Sequence, residues 1–335
     1  MRAPSFWWQE QTIAAALLSP AAGVYGAVAA ARLRQTGERA GVPVLCVGNP
    51  TLGGSGKTPT ALALARLLID AGKRPFLLSR GYGGRLDGPV RVDPQHHRAD
   101  DVGDEPLLLA RCAPTIIAHD RVAGARFARA AGASAIVLDD GFQNPSLAKD
   151  LSLLVIDGRR GVGNDLVFPA GPLRAPLTAQ LDRAQALLTI GDGPSAAAVE
   201  SAAVLRGLSL FRGALVPDAA SVAALRSSRV LAFAGIGDPE KFFATLSDAA
   251  IDVAIRRGFA DHHRFTAVDA KSLLAEADRA GLSLVTTEKD FVRLAHRRAL
   301  AVLAERSRVL PVALKIDDED RFRRFVLAPL AAARS

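Results

Sequence analysis

The sequence contains few cysteines and few aromatic residues. Its two cysteines, Cys46 and Cys112, match no metal-binding or redox spacing. Aromatic residues make up 5% of the chain, and no nucleic-acid-binding motif accompanies its basic residues. The chain also has no internal repeat and no block of like charge that would indicate disorder. These absences disfavour a nucleic-acid-binding protein and a disordered chain, and the cysteine usage favours a reducing, cytosolic compartment.

The chain is rich in arginine, and it is long enough to form two hydrophobic cores. The net charge is +8, the pI is near 10.1, and arginine far outnumbers lysine. Such a balance suits anionic partners, which include phosphorylated substrates and the surface of an anionic membrane. A length of 335 residues is sufficient for two α/β domains, each with its own core.

A glycine-rich segment, residues 48–59 (GNPTLGGSGKTP), is the strongest functional signal. A β-rich run, 42–47, precedes it and a helical stretch, 60–69, follows it, which is the layout of a P-loop. Glycines let successive N–H groups surround phosphate oxygens, and Lys57 would reach the β- and γ-phosphates. The alternative is an ordinary glycine-rich turn, since Thr51 stands where the general pattern has glycine. The predicted nucleotide-binding residues are Thr51, Leu52, Gly53, Gly54, Ser55, Gly56, Lys57 and Thr58.

Two aspartates follow a second apolar run. Residues 134–138 are typical of a buried strand, and Asp139 and Asp140 come directly after it. This arrangement matches a Walker B element, in which a carboxylate holds Mg²⁺ directly or through water. Together with the Thr58 hydroxyl, the two carboxylates predict a magnesium site. A simple turn at the end of the strand is the alternative.

The N-terminal region predicts contact with a membrane. Residues 13–31 carry no charge and are numerous enough to span a bilayer. We favour a helix that lies in the membrane interface, with Trp7 and Trp8 at headgroup depth and Arg32 and Arg34 on anionic lipid. A secretory signal peptide and a helix packed on the protein's own core are the alternatives.

The rest of the chain alternates between strand-like and helix-like segments. The first series of strands ends at 186–190, and residues 191–203 resemble a loop or surface helix near a domain boundary. A second series follows at 230–234, 251–254, 284–287 and 309–315. We predict an α/β fold of the P-loop NTPase type, with a mostly parallel sheet, a second, smaller α/β domain and an N-terminal membrane-associated helix. The predicted parts are 1–35 (helix), 36–220 (P-loop kinase domain) and 221–335 (smaller domain).

Several motifs occur together in one order, and together they resemble tetraacyldisaccharide 4′-kinase, a lipid A pathway enzyme of Gram-negative bacteria. The motifs are GN-PT-x-GGSGKTP, SRGYGG, VGDEP, DDGFQ, PAGPLR, AGIG-x-P, F-x-DHH and TEKD. The resemblance extends from the N-terminal helix to about Asp290, and Thr51 follows the habit of that family. One position departs from it, because Ala175 stands where the family often has an acidic residue. This chain therefore lacks that acid as a metal or substrate ligand.

The resemblance implies transfer of the γ-phosphate of ATP, with Mg²⁺, to the 4′-hydroxyl of an acylated glucosamine disaccharide 1-phosphate, giving lipid IVA. It implies a site between two α/β domains at the cytoplasmic face of the inner membrane, without nucleic acid or an evident obligate protein partner. Asp104 and His262 would meet across this cleft to accept the hydroxyl proton, and Lys57 would complete the catalytic set. Arg80, Arg121 and Arg174 are candidate phosphate ligands, with solvated surface arginines as the alternative.

Two other functions remain open on the residues alone. One is a P-loop switch ATPase that drives a membrane partner, and the other is a soluble small-molecule kinase whose first helix belongs to the core. A cap at the start of a helix is the plain alternative for Asp104, and a solvated loop position is the alternative for His262.

Overall fold

The computed structural model of the chain describes residues 4–10, 12–295 and 297–332. Within these residues, strands alternate with helices as the sequence predicts. The strands are β1 (Val44–Gly48), β2 (Pro75–Ser79), β3 (Val90–Arg91), β4 (Thr115–Ile117), β5 (Ala135–Asp139), β6 (Leu151–Asp157), β7 (Ala186–Ile190), β8 (Ser209–Pro217), β9 (Val230–Ala234), β10 (Val253–Gly258), β11 (Ser283–Thr287), β12 (Ser307–Leu310) and β13 (Val312–Ile316).

The helices connect these strands and cover both faces of the sheets. They are α1 (Ile13–Leu33), α2 (Lys57–Asp70), α3 (Ala99–Val102), α4 (Asp104–Leu109), α5 (Arg121–Ala130), α6 (Leu177–Leu181), α7 (Ala197–Val204), α8 (Ala219–Leu225), α9 (Pro239–Asp248), α10 (Ala267–Ala280), α11 (Glu288–Leu294), α12 (Ala301–Arg306) and α13 (Glu319–Ala332). Short 3-10 helices lie at Ser5–Trp8, Pro194–Ala196 and Arg298–Leu300.

Within the described residues, the larger sheet has nine strands in the order β13-β8-β7-β6-β1-β5-β2-β4-β3. All its neighbours are parallel except the outermost pair at each end, β13 with β8 and β3 with β4. Strands β1, β5 and β6 are buried along their whole length because helices cover both faces, as expected of central parallel strands. Strand β1 lies between β5 and β6, and the connections that follow β1 and β6 run to opposite sides of the sheet, β2 on one side and β7 on the other. The carboxyl ends of these strands therefore form a crevice.

The smaller sheet has four parallel strands in the order β10-β9-β11-β12. Helices α8 and α9 pack on one of its faces, while α10, α11 and α12 pack on the other. We call β9–β12 with these helices the small unit, and the nine-stranded sheet with its helices the large unit. The mixed α/β fold with a mostly parallel main sheet and a smaller α/β part confirms the predicted fold class.

The end of the chain differs from the sequence prediction. Residues 309–315 were expected to form one strand, but Pro311 separates β12 in the small sheet from β13 in the large one. Proline lacks an N–H for pairing, and here its carbonyl accepts the N–H of Asp218 at 2.9 Å. The chain therefore returns to the large unit, where β13 pairs with β8 and α13 packs on α2. Residues 312–332 lie outside the small unit, although the predicted smaller domain ran to residue 335.

Two other expectations differ in detail. The strand expected at 251–254 is β10, which starts at Val253 because Ala250 turns the chain with a φ of +58° and Ile251 packs in the core. The first series of strands was expected to end at 186–190, but β8 follows and extends the large sheet. The stretch 191–203, expected to be a loop or surface helix near a domain boundary, contains most of α7, which packs on the large sheet.

The first helix, α1, is only partly covered by the protein. Its buried face consists of small residues and Leu33, and it packs on α6. Ile13, Leu17 and Val24 point outward with 80%, 77% and 70% of their surface exposed. The helix is long and apolar enough to cross a membrane, with a mean hydropathy of 1.7. These exposed side chains disfavour a helix packed wholly on the protein's own core.

Candidate active site

The glycine-rich loop joins β1, in the middle of the large sheet, to α2. Gly53 and Gly56 have φ values of +109° and +92°, which residues with a Cβ rarely adopt. A Cβ on Gly56 would also lie 2.5 Å from the Ile190 side chain. Helix α2 begins at Lys57, earlier than the predicted 60–69, so its N-terminus faces directly into the loop. Free N–H groups and the positive end of a helix dipole together make an anion site here.

Asn49 supports this loop from the interior, and the sequence analysis assigned it no role. Its side chain is fully buried, and Nδ2 donates to the carbonyls of Thr51 at 2.6 Å and Gly53 at 3.2 Å. Its Oδ1 accepts a hydrogen bond from Lys57 Nζ at 3.0 Å. Burial lowers the pKa of Lys57, an effect that the carboxylate of Asp140 opposes. The loop and its lysine are therefore held in place without a nucleotide.

The two aspartates at the end of β5 form an acidic pair beside α2. Thr58 Oγ1 donates to Asp139 Oδ2 at 3.2 Å. The Oδ1 atoms of Asp139 and Asp140 are buried, and neither has a hydrogen-bond partner among the described residues. Burial and the charges of Glu105 and Asp140 raise the pKa of Asp139 to about 7. Buried carboxylate oxygens that lack donors are suited to a cation.

These residues fit Mg²⁺ better than a metal held by the protein alone. Across the described residues, no three His, Cys, Asp or Glu side chains cluster as a metal site would require. Mg²⁺ is usually bound by one or two carboxylates together with phosphate oxygens of the substrate. The Thr58 hydroxyl and the carboxylates of Asp139 and Asp140 lie beside the anion site and are suited to act as the protein ligands of such an ion.

Arg174 reaches the same place from the loop that follows β6. The N–H of Leu52 donates to the carbonyl of Pro172 at 2.8 Å, which joins this loop to the P-loop. Arg174 Nε donates to the Thr51 carbonyl at 3.0 Å, and Nη2 donates to Asp140 Oδ2 at 3.2 Å. The buried Thr51 thus receives hydrogen bonds at its carbonyl where the general pattern has glycine. Arg174 lies at the acidic pair itself.

Arg121 and Arg80 both line the cavity that contains the P-loop and the acidic pair. Arg121 begins α5 and is 3% exposed, and its Nη1 donates to the Ala118 carbonyl. Burial, and then the neighbouring charge of Arg80, lower the pKa of Arg121. The Nε of Arg121 is buried without a partner among the described residues. Two guanidinium groups close together, one with an unused donor, are suited to an anion.

Asp104 and His262 meet across the cleft between the two units. Asp104 is the first residue of α4 in the large unit and is 4% exposed. His262 belongs to the loop after β10 in the small unit, and its Nδ1 lies 3.2 Å from Asp104 Oδ2. The Tyr82 ring packs edge-on against His262, with the ring centroids 5.2 Å apart. The contact joins residues 158 positions apart in the chain.

The charge of Asp104 is strongly stabilised. Burial alone would raise its pKa, but the hydrogen bond to His262 and the charges of Lys289 and Arg293 outweigh it. The pKa of Asp104 therefore lies well below its usual range. Because Asp104 is ionised, it favours the imidazole tautomer with the proton on Nδ1, which leaves Nε2 as a proton acceptor. Such a pair is the arrangement of a general base and the group that orients it.

The P-loop, the acidic pair, the three arginines and the histidine of the Asp–His pair line one cavity of about 1570 Å³. Lys289 also contributes to its wall. Tyr25 and Val28 of α1 also line this cavity, and both are substantially exposed. The phosphate site, the acidic pair and the Asp–His pair are therefore continuous with the apolar N-terminal helix.

The comparisons with known proteins identify the family of the chain. The family model described as tetraacyldisaccharide-1-P 4′-kinase (LpxK) matches residues 14–331. The chain belongs to this family. A tetraacyldisaccharide 4′-kinase of Rhodopseudomonas palustris strain HaA2 is 55% identical over 335 residues, which cover 100% of this chain and 98% of the relative. One from Nitrobacter winogradskyi strain Nb-255 is 54% identical over 334 residues, covering 100% and 99%.

A solved structure of this kinase family has the same fold. It is described as the "apo" form of LpxK from Aquifex aeolicus in complex with ATP. Its TM-score is 0.73 at 26% sequence identity, and the match covers 94% of this chain and 99% of that one. The family resemblance, the kinase activity and the use of ATP that the sequence motifs implied are therefore confirmed.

The kinase family site also contains residues that the sequence analysis did not single out. Besides Asn49, these are Gln143, Gln180, Glu105 and Arg293. Gln143 Nε2 donates to the Asn49 carbonyl and to Gln180 Oε1, which joins the DDGFQ turn to the P-loop. Glu105 accepts a hydrogen bond from Lys289 of the small unit at 2.8 Å. Asn49 and Gln143 lie within the family motifs, so their positions in those motifs could have indicated a role in the site.

Proposed function

We propose that this chain transfers the γ-phosphate of ATP to the 4′-hydroxyl of tetraacyldisaccharide 1-phosphate, giving lipid IVA. One observation carries the proposal: an Asp–His pair spans the cleft and opens into the same cavity as a P-loop. A nucleotide hydrolase needs only a positioned water, whereas a kinase needs a group that accepts the proton of an alcohol. The membership of the kinase family supplies the identity of that alcohol.

The nucleotide-binding role falls to the P-loop. Its N–H groups and the N-terminus of α2 would hold the phosphates, and Lys57 would neutralise charge that develops on the transferred group. Thr58, Asp139 and Asp140 would hold Mg²⁺, which when bound supplies further charge neutralisation to the phosphate oxygens. Ala175 provides no carboxylate, and its carbonyl accepts a hydrogen bond from Gln180 at 2.7 Å. We therefore propose that this chain holds the ion without an acid at that position.

The acceptor hydroxyl would lose its proton to the Asp104–His262 pair. The ionised Asp104 would orient the imidazole, and His262 Nε2 would take the proton. Arg80, Arg121 and Arg174 would bind phosphate groups of ATP or of the lipid, because all three line the cavity. Since each is a donor only, the three arginines add positive charge where two polyanions must approach each other.

The N-terminal helix would bring the enzyme to its substrate. The exposed apolar side chains of α1 suit the acyl region of a bilayer. In the 3-10 helix before α1, the Trp8 ring lies beside Arg160, whose Cζ is 5.0 Å from the ring centroid. An acylated disaccharide phosphate resides in the membrane, and a helix bordering the cavity would shorten its path to the P-loop. We propose a peripheral or N-terminally anchored protein at the cytoplasmic face of the inner membrane, with 1–35 as its membrane part.

The proposal is tested with labelled ATP and purified tetraacyldisaccharide 1-phosphate in mixed micelles. A labelled glycolipid that depends on the wild-type enzyme, and is lost in Lys57→Ala, supports it. Label released only as inorganic phosphate would favour a switch ATPase, and a labelled water-soluble product would favour a soluble small-molecule kinase. Either result would contradict the proposal.

A further inference from the structure

Arg293 occupies the junction between the two units, directly behind the Asp–His pair. It lies on α11 of the small unit and is 6% exposed. Its Nε donates to Asp104 Oδ2 at 2.6 Å, and Nη2 is in ionic contact with the same oxygen. This is the oxygen that also faces His262 Nδ1. One guanidinium group therefore holds the carboxylate that orients the histidine.

Arg293 also acts on His262 through the backbone. Its Nη1 donates to the Gly235 carbonyl at 2.7 Å, and the same carbonyl accepts the backbone N–H of His262 at 3.1 Å. His262 has a φ of +54°, a conformation that is uncommon for a residue with a side chain and must be held by its surroundings. Gly235 thus links Arg293 to the backbone of the histidine.

The arginine is itself held by a fully buried partner. Asp290 Oδ1 accepts from Arg293 Nη1 at 2.8 Å, and Asp290 Oδ2 accepts the Gly235 N–H at 3.0 Å. Thr287 Oγ1 donates to the same Oδ2 at 2.7 Å, so the aspartate is fixed from both sides. The planar fork of Arg293 can satisfy Asp104, Gly235 and Asp290 together, which a lysine ammonium at the end of a flexible stem cannot match.

We propose that Arg293 is a positioning residue for phosphoryl transfer, which aligns Asp104 with His262 and keeps the carboxylate ionised. The inference rests on the proposed function, since it concerns the proton acceptor of that reaction. The charged groups that face the Asp104–His262 pair are Lys289 and Arg293 at Asp104 and Asp261 at His262. Glu105 pairs with Lys289, and Asp290 lies behind Arg293. Of the two cations, Arg293 is the one in direct contact with Asp104. Removing its charge should make protonation of the Asp104–His262 pair easier, whichever member holds the proton.

Two variants separate the charge of Arg293 from its geometry. Arg293→Lys keeps the charge and loses the fork, so kcat should fall about 10-fold while the acidic limb of the pH profile stays in place. Arg293→Met combined with Asp290→Asn removes the charge without leaving a buried carboxylate unpaired. In that variant kcat should fall about 100-fold, and the acidic limb should move up by about one pH unit.

A matched control is another ion pair between the units, Arg160 Nη2 with Asp238 Oδ2 at 2.8 Å. Arg160→Gln weakens the contact between the units without touching the Asp–His pair, so kcat and the acidic limb should stay as in the wild type. The imidazole resonances of His262, assigned with His262→Gln, give a readout independent of turnover. Their chemical shifts should change in the double variant, because the ring loses its fixed partner, and stay the same in the control.

The inference is wrong if the double variant folds, binds ATP and keeps the wild-type acidic limb. It is equally wrong if Arg160→Gln shifts that limb, because the effect would then come from docking of the units. If the double variant does not fold, Arg293→Lys decides, and wild-type kcat there would overturn the role of the fork. A wild-type enzyme without activity on the glycolipid would contradict the proposed function, whereas an active one with unchanged variants would contradict only the role of Arg293.

Discussion

Replacing Lys57 by methionine should separate the cost of burying a charge from its use in catalysis. In the ligand-free protein, burial lowers the pKa of Lys57, so the folded state disfavours the ammonium and stability at neutral pH suffers. Methionine has a similar shape and removes that cost. The lost ionic contact with Asp140, at 3.7 Å, is partly replaced because Arg174 remains 3.2 Å from the same oxygen. The lost hydrogen bond to the buried Asn49 Oδ1, at 3.0 Å, offsets part of the gain. The ligand-free variant should therefore melt within about 2 °C of the wild type, or above it.

Turnover should respond very differently. A preorganised cation that neutralises the transferring phosphoryl group contributes about 10³-fold, which corresponds to about 4 kcal/mol of activation free energy. We expect a loss of that size in kcat with labelled ATP, together with a smaller ATP-induced rise in melting temperature. Lys57→Arg serves as the control that keeps the charge at a different position. Turnover near the wild-type level in a folded Lys57→Met variant, or a melting temperature several degrees lower, would refute the reasoning.

Three further outcomes are expected. Deleting residues 1–31 should release the protein from anionic vesicles and raise the apparent KM for lipid, while ATP binding stays unchanged. Truncated protein that still sediments with vesicles would show that another part of the protein is the anchor. Asp104→Ala and His262→Ala should each lower kcat about 10²-fold, and the double variant should be little worse, whereas fully multiplicative losses would show independent action. Asp139→Asn should weaken Mg²⁺-dependent nucleotide binding about 10-fold in calorimetry, and unchanged binding would remove Asp139 from the metal site.

The parts of the site that the sequence predicts are contiguous in the chain. The P-loop consists of a strand, a glycine-rich turn and a helix in succession, and the acidic pair directly follows a strand. Their chemistry therefore depends on local backbone geometry, which glycine positions and apolar runs report. Alternation of strands and helices likewise predicts a parallel sheet with covered faces. The meeting of Asp104 with His262 has no such local signal, and only the family resemblance implied it.

Other features depend on contacts that form over long distances in the chain. Strand β8 alternates buried and exposed residues, and its role as a partner for β13 requires the return of the chain after the small unit. Pro311 marks that crossing, but a single proline does not reveal which sheet the next strand joins. Arg293 was overlooked for a similar reason: its partner Asp104 lies 189 positions away. Only Asp290, three residues before it on the helix, was close enough to suggest a pair.

The return of the chain at Pro311 has a consequence for how the protein is made. During synthesis from the N-terminus, β8 forms the edge of the large sheet while β9–β12 are still to come. Its pairing partner β13 emerges only after the whole small unit, so one edge of β8 offers unpaired backbone groups until residue 312. The nascent chain therefore closes its main sheet last, and a chain that ends at residue 311 would contain β9–β12 beside an open edge of the large sheet.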